Sequence, residues 1–377
     1  MKVLAVSLLR MGDFFQQVPW LQKLAEQNEV HVLLNDSLRD ASLLFPELKY
    51  HFFPRSHLQD LLTNANCNLL SSFKELKKIC LELNLEEFDE IQNWTHNFLS
   101  ARLIDLLTAK SKKGLYFQSN QVAGVTLPVT YLNDNWGPSR SPSFHWMDVV
   151  QLALGNPRAT DMTGDFHREG PVYLQIFTSD AKKNWSALNW LKLASNLRES
   201  GEDVRILCAP GEVDQLEAEF FGFRIEVFNL GELYAALLKA KLLVSGDTSV
   251  AHLAVLARTP ILGLFLGSAD PYKTGPQQAG AVLLWPQAPC SPCRHSQSCS
   301  ESSHVCGEML NAEYVTQEVI RMIGHGPKAI KSGSVRSLTV MPGLNGRYLL
   351  AENEALNEQA WAQLVWEFYL NRDHEQV

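Results

Sequence analysis

LLVSGDTSVAHLAVLARTPILGLFLGSADPYKTGP, residues 242–276, is the stretch whose reading decides the fold. Leu242–Val244 reads as an apolar strand and Ser245-Gly246-Asp247-Thr248-Ser249 as a turn of small residues, with a helix opening directly after it. A second apolar strand, Pro260–Leu266, follows and ends in a loop rich in Gly, Ser and Pro. A strand that feeds a helix through small residues leaves backbone N–H groups and the positive end of the helix dipole facing a crevice. Such a crevice is an anion site, most often for phosphate. Asp247 sits inside it. A carboxylate repels phosphate, so Asp247 is expected to address hydroxyls beside the phosphate, as on a sugar.

The same strand–helix alternation extends in both directions. Upstream, Val172–Phe177 and Val204–Cys208 read as strands, with helices at Ser186–Ser200 and Leu233–Ala240. The first half shows strands at Val3–Leu8, Val30–Leu34, Glu90–Gln92 and Leu115–Phe117, with helical periodicity over Phe14–Gln27 and Asn97–Leu107. Strands alternating with helices imply parallel sheets covered on both faces. The simplest α/β reading is two Rossmann-like domains, 1–160 and 161–325, with a ligand cleft between them. Residues 326–345 read as a linker, and Glu354–Leu370 as a terminal amphipathic helix, which completes a third segment, 326–377.

Composition narrows the class. A chain of 377 residues has room for about two cores. Its net charge of −8 speaks against a nucleic-acid partner, which calls for a basic surface. The opening MKVLAVSLLRMGDFF is broken by Arg10 and Asp13 and reads as a buried strand rather than a leader. No run approaches the ~18 apolar residues of a membrane span. The expected compartment is the cytoplasm, with at most peripheral contact to a membrane-bound substrate.

Several strand ends carry candidate chemistry. Gly12-Asp13 follows the first strand, where an open α/β sheet gathers its ligands; Asp13 there serves either as a base or as the cap of the helix that begins beside it. Thr178, Ser179 and Lys183 offer the donors and positive charge that a diphosphate needs, unless the segment is a solvated loop capped by Ser186. Glu212 follows another strand, where a carboxylate can hold a ribose diol. Cys290, Cys293, Cys299 and Cys306 follow a C-x2-C-x5-C-x6-C spacing, either a structural metal knuckle for zinc or iron or four free thiols, with His295 and His304 as lesser ligands. There is no Asp-x-Asp clamp, no G-x-G-x-x-G and no Walker A sequence, which counts against metal-dependent sugar transfer, dehydrogenases and NTPases.

Taken in order, Gly12-Asp13 with Pro19, Lys183 with Trp185, Asp247-Thr248 with His252, and the Cys290-to-Cys306 cluster resemble glycosyltransferase family 9, the heptosyltransferases, over most of residues 1–325. The resemblance implies a GT-B architecture of two facing Rossmann-like domains. It also implies inverting transfer of heptose from ADP-heptose to the lipopolysaccharide inner core without a catalytic metal. By position, Asp13 becomes the general base; Thr178, Ser179 and Lys183 become diphosphate contacts; Glu212 holds the ribose; and Phe228 falls near an adenine-lining place. Asp247 holds sugar hydroxyls, the Thr248 backbone lies near the phosphates, and His252, one turn further on, orients Thr248. Ser249 stands where the family has glycine, and Phe265-Leu266-Gly267-Ser268-Ala269-Asp270-Pro271 replaces Phe-Gly-Pro-Thr-Asp-Pro. Arg10, Arg102 and Arg140 are candidates for meeting an anionic acceptor. Two other readings stay open: a protein O-heptosyltransferase acting on autotransporters, and a nucleotide-sugar-binding protein without catalysis.

Overall fold

Buried apolar strands set between amphipathic helices build two separate parallel sheets in the computed structural model. It describes residues 1–63, 69–135, 144–156, 162–294, 297–324, 333–342, 348–352 and 355–356. These residues divide into two compact units, one made of 1–135 with 146–156 and the other of 144–145 with 162–356.

In the first unit the strands are β1 (Lys2–Ser7), β2 (Glu29–Asn35), β3 (Lys49–Phe53), β4 (Phe88–Asn93) and β5 (Ala109–Lys113). They lie in the order β3-β2-β1-β4-β5, and every pairing is parallel. A small antiparallel hairpin, β6 (Tyr116–Gln118) and β7 (Gln121–Ala123), stands apart from that sheet. Residues Leu115–Phe117, expected as a strand, therefore start this hairpin. The helices are α1 (Met11–Ala25), α2 (Arg39–Ser42), α3 (Arg55–Thr63), α4 (Leu69–Asn84), α5 (Phe98–Asp105), α6 (Leu127–Asn135) and α7 (Trp146–Leu154). The core on one face joins Leu4, Val6 and Leu33 of the strands to Ile79 and Leu83 of α4 and to Leu103 and Ile104 of α5. Each such side chain contributes about 1.5–3 kcal/mol when fully buried.

The second unit contains β8 (Val172–Gln175), β9 (Val204–Cys208), β10 (Arg224–Val227), β11 (Leu242–Gly246), β12 (Ile261–Leu264) and β13 (Val282–Pro286). They run parallel in the order β10-β9-β8-β11-β12-β13. The helices are α8 (Ala187–Glu199), α9 (Val213–Glu219), α10 (Leu230–Leu237), α11 (Ser249–Leu256), α12 (Pro271–Thr274), α13 (Val305–Met309) and α14 (Ala312–Met322). Trp190, Leu193 and Leu197 of α8 pack with Val315 and Val319 of α14 against Leu174, Ile206 and Val244 of the strands.

The sheet then continues antiparallel through β14 (Val335–Pro342), β15 (Tyr348–Glu352) and β16 (Ala355–Leu356). This corrects the linker reading of 326–345. Its centre, Val335-Arg-Ser-Leu-Thr-Val340, buries Val335, Leu338 and Val340 and pairs with β13. Flanking Gly, Lys and Pro residues hide that short alternation in the sequence. The helix expected over Glu354–Leu370 lies outside the described residues, apart from Ala355 and Leu356, which form β16. No helix among the described residues is long and apolar enough to cross a membrane.

Candidate functional site

In the second sheet the strand order reverses direction at β8: β9 and β10 lie on one side and β11, β12 and β13 on the other. Ligands of open parallel sheets collect beyond the carboxyl ends at such a switch point. The two chain segments that leave β8 and β11 there are 176–185 and 247–249. They meet directly: Lys183 Nζ lies 2.6 Å from Asp247 Oδ2. Both side chains are largely enclosed, at 11% and 12% exposure, so this pair is not a solvated surface contact.

Local sequence explains the placement of Lys183. Thr178 donates its N–H to Asn184 Oδ1 at 2.8 Å, and its hydroxyl donates to the Asp180 carbonyl at 2.9 Å. Asp180 caps the 3-10 turn Ala181–Lys183 by accepting the Lys182 N–H. This turn separates the two lysines. Lys182 reaches the Arg294 carbonyl at 2.9 Å, while Lys183 is delivered to Asp247. Trp185 anchors the far end, its indole N–H donating to the Leu310 carbonyl at 2.8 Å, edge-on to Trp190.

On the β11 side, Thr248 is the N-cap residue of α11, with extended backbone and no side-chain capping bond. The first-turn N–H groups of α11 are thus left without their usual side-chain acceptor and keep the positive end of the helix available to an anion. The Ser245 hydroxyl reaches the Gly246 carbonyl and lies 3.2 Å from Thr248 Oγ1, holding the turn together. Gly246 is required here because a Cβ would come within 2.8 Å of Thr178 Cγ2. Gly267, after β12, has a φ of +59°, and its Cβ would fall 2.2 Å from the Lys182 carbonyl oxygen. His252 is buried, with Nε2 4.0 Å from Asp247 Oδ1. Burial pushes its pKa down to about 4, against the raising influence of Asp247 and with a further lowering from Lys183. The ring is therefore neutral at neutral pH.

The remaining expected donor contacts occupy the same edge without joining that ion pair. Ser179 is exposed. The Glu212 carboxylate accepts the Ala209 N–H at 2.8 Å and so caps the turn after β9. Phe228 is half-buried just beyond β10, and Ser249 is half-buried as the first residue of α11. Asn184, Asp180 and Ser245 were not singled out from sequence. Their contribution is to hold the backbone, and no spacing rule announces it.

In the first unit, Asp13 lies in the first turn of α1, directly beyond β1, and the order β3-β2-β1-β4-β5 puts that sheet's switch point between β1 and β4. The Asp13 carboxylate accepts the Arg10 N–H at 3.2 Å, so the capping role exists. Gln17 ties the two strand ends together: it accepts the Ser7 hydroxyl and donates to the Trp94 carbonyl at 3.0 Å.

Residues 147–304 match the model of glycosyltransferase family 9 (heptosyltransferase). Those residues form a glycosyltransferase family 9 domain. The enzyme is similar in structure to E. coli heptosyltransferase WaaC with ADP-2-deoxy-2-fluoro heptose, at 18% identity and a TM-score of 0.55, covering 74% of this chain and 93% of that one. A family 9 glycosyl transferase from Veillonella parvula DSM 2008 gives a TM-score of 0.61 at 14% identity, covering 85% and 97%. E. coli ADP-heptose lps heptosyltransferase II gives 0.55 at 14% identity, covering 86% and 98%. At these identities the likeness is one of fold, and it places the glycosyltransferase in the GT-B class. No curated protein matches the sequence significantly.

The sulfurs of the cysteine cluster lie close enough for Cys290 and Cys293 to feel the charge of the others, without closing to the spacing of a filled metal sphere. Four thiolates on one zinc ion, with Zn–S of about 2.3 Å, would lie about 3.8 Å apart. Among the described residues no three of Cys290, Cys293, Cys299 and Cys306, with or without His304, bring ligand atoms within 4.8 Å of one another. Two of the sulfurs also meet the backbone of the loop. Cys306 accepts the Gly267 N–H at 3.4 Å, and Cys293 donates to the Cys290 carbonyl. Burial raises the Cys306 thiol, but its hydrogen bond from His304 and the Gly267 N–H outweigh that and leave it lowered. His304 also meets the Lys182 carbonyl at 2.8 Å, which links this loop to the lysine turn. His295 and Arg140 lie outside the described residues.

Proposed function

We propose that this family 9 glycosyltransferase transfers heptose from an ADP-heptose-like donor to an inner-core hydroxyl of lipopolysaccharide, with inversion and without a catalytic metal. The observation that carries the reading is the Lys183–Asp247 pair at the β8/β11 switch point, beside the uncapped start of α11. A cation, a helix N-terminus and a carboxylate at one point fit a diphosphate bonded to a polyhydroxylated sugar. Phosphate alone would not need the carboxylate.

In this reading Asp13 takes the proton of the acceptor hydroxyl as its oxygen attacks the anomeric carbon from the face opposite the diphosphate. The carbon–oxygen bond to the diphosphate breaks, and the electron pair leaves with ADP. Lys183 and the N–H groups at Thr248 and Ser249 stabilise the charge that builds on the departing oxygens. Thr178 and Ser179 bind the diphosphate, Glu212 the ribose and Phe228 the adenine. On donor binding Lys183 exchanges Asp247 for phosphate, which frees that carboxylate for sugar hydroxyls, and neutral His252 fixes its position. The acceptor is met at a membrane surface without insertion. A lysine in place of a divalent cation agrees with the lack of an Asp-x-Asp sequence.

Asp13→Asn tests the base. The amide oxygen still accepts the Arg10 N–H, so the start of α1 is kept while the basic oxygen is lost. ADP release with ADP-heptose and a truncated core acceptor is expected to fall at least a hundredfold, as general-base catalysis contributes about 10²–10⁴, with donor affinity unchanged. Turnover near that of the unmodified enzyme would remove Asp13 from the mechanism.

A further inference from the structure

Away from the carboxyl-terminal edges, the opposite edge of the first sheet collects two histidines and two glutamates. His31 is the third residue of β2, His51 the third of β3, and Glu86 lies in the turn between α4 and β4. His51 pairs in register with Leu33, so alternation along β2 puts His31 and His51 on the same sheet face. One ligand atom from each of His31, His51 and Glu86 lies within 4.8 Å of the other two. We infer that these three side chains form a divalent-cation site, suited to zinc, at the amino-terminal edge of the first sheet.

The geometry is close to a coordination sphere. His31 Nδ1 and His51 Nε2 are 2.8 Å apart, joined through a single proton. Two imidazole nitrogens on a tetrahedral zinc ion, at about 2.0–2.1 Å each, stand about 3.3 Å apart. Replacing the shared proton by the cation therefore needs the nitrogens to part by about half an ångström and the two nearly coplanar rings, now aimed at each other, to swing toward a common point. The outer sphere is also in place. His31 Nε2 lies 3.1 Å from Glu29 Oε1, which keeps the proton on Nε2 and leaves the Nδ1 lone pair to bind. A carboxylate on the far nitrogen is the usual second partner of a zinc-bound histidine. His31 is buried and His51 half-buried. Lys2 pairs with the Glu86 carboxylate and also donates to the Glu86 carbonyl at 2.8 Å, which fixes the turn. His–His–carboxylate sets with a place for water suit zinc better than the hard cations. The competing use of these residues is a closed ion network that needs no metal, and it predicts no binding.

The test is titration of zinc chloride into the full chain after chelator treatment, read by calorimetry, melting temperature and X-ray absorption at the zinc edge. One equivalent is expected to bind and raise the melting temperature, with a nitrogen and oxygen shell at about 2.0–2.1 Å and no sulfur at about 2.3 Å. His51→Ala and Glu86→Gln each weaken binding at least tenfold, and Glu29→Gln, which touches only the outer sphere, weakens it about 10- to 100-fold. His51→Gln keeps the site's volume and serves if the alanine variant unfolds. Cys290→Ser with Cys293→Ser leaves the affinity unchanged. No binding, a sulfur shell, or undiminished affinity in both His51 and Glu86 variants would overturn the assignment.

Discussion

Replacing Lys183 by Met removes one partner of an ion pair that is nearly sealed from water. At 2.6 Å, with 11% and 12% of the side chains exposed, the pair lies toward the buried end of the range. Breaking a buried pair by deleting one member costs about 3–5 kcal/mol, because the other charge stays desolvated. The residual exposure and the polar hydroxyls of Ser245 and Thr248 nearby put the expectation at the lower end, about 3 kcal/mol. At about 2–4 °C per kcal/mol for a unit of this size, the melting temperature of the second unit falls by about 6–12 °C in scanning calorimetry. Adding Asp247→Asn removes the stranded carboxylate, so the double variant is more stable than Lys183→Met alone. The reasoning fails if Lys183→Met melts within 2 °C of the unmodified protein, or if the double variant is the less stable of the two.

Other expectations follow from the same geometry. His252 has its folded pKa depressed to about 4, and His145 is pushed down to about 3 by burial and by neighbouring His252. Their unfolded values are near 6.5, so the unfolded chain takes up protons first as pH falls. Stability is therefore full above pH 6.5 and is lost as pH drops toward about 4, by on the order of 3 kcal/mol for His252 alone. Urea midpoints from pH 8 to 4 check this, and a flat profile contradicts it. Gly267→Ala must push the Lys182 carbonyl out of a 2.2 Å clash and abandon a left-handed φ of +59°. Donor affinity is expected to fall at least tenfold, because the displaced turn carries Lys183, and unchanged affinity would show that the turn does not matter. Trp185→Phe strands the Leu310 and Gly307 carbonyls. It should cost about 1–3 kcal/mol in urea denaturation, and a loss below 0.5 kcal/mol would count against that anchor.

What the sequence makes legible is what carries apolar periodicity or a strand-to-helix junction. β1, β2, β8, β9, β11 and β12 are apolar runs, and each is found close to its expected bounds. One buried apolar strand, β13 (VLLWP), is not read from the sequence, and the other missed strands include two kinds. β3 (KYHFF), β5 (AKSKK) and β10 (RIEV) are edge strands of their parallel runs, half solvated, so charged and polar residues dilute the pattern. β14 is hidden by its Gly- and Pro-rich flanks. Within the candidate site, the junction residues Lys183 and Asp247 were legible because strand ends are where small-molecule chemistry gathers. Which of two adjacent lysines enters the site was not. That choice is made by the local Asp180-capped turn together with carbonyls of the cysteine loop, which lie more than 100 residues away along the chain. The cysteine spacing says only which side chains come near one another. Spacing reports which ligands can reach a metal, while the loop spends two of its sulfurs on backbone partners.

The central claim is that the second unit reads an adenosine diphosphate sugar through Lys183 and Asp247. It is tested most directly by a melting-temperature screen of the full chain against ADP-, UDP- and GDP-sugars, repeated with Lys183→Met. Ligands that bind the native state raise the melting temperature with the logarithm of ligand concentration over Kd, a stabilisation of about 2.7 kcal/mol at a hundredfold excess. The account predicts a rise with ADP-heptose, a smaller one with ADP, none with UDP- or GDP-sugars, and loss of the ADP-heptose response in Lys183→Met. A rise with UDP- or GDP-sugars alone, or an ADP-heptose response that survives Lys183→Met in full, would contradict it.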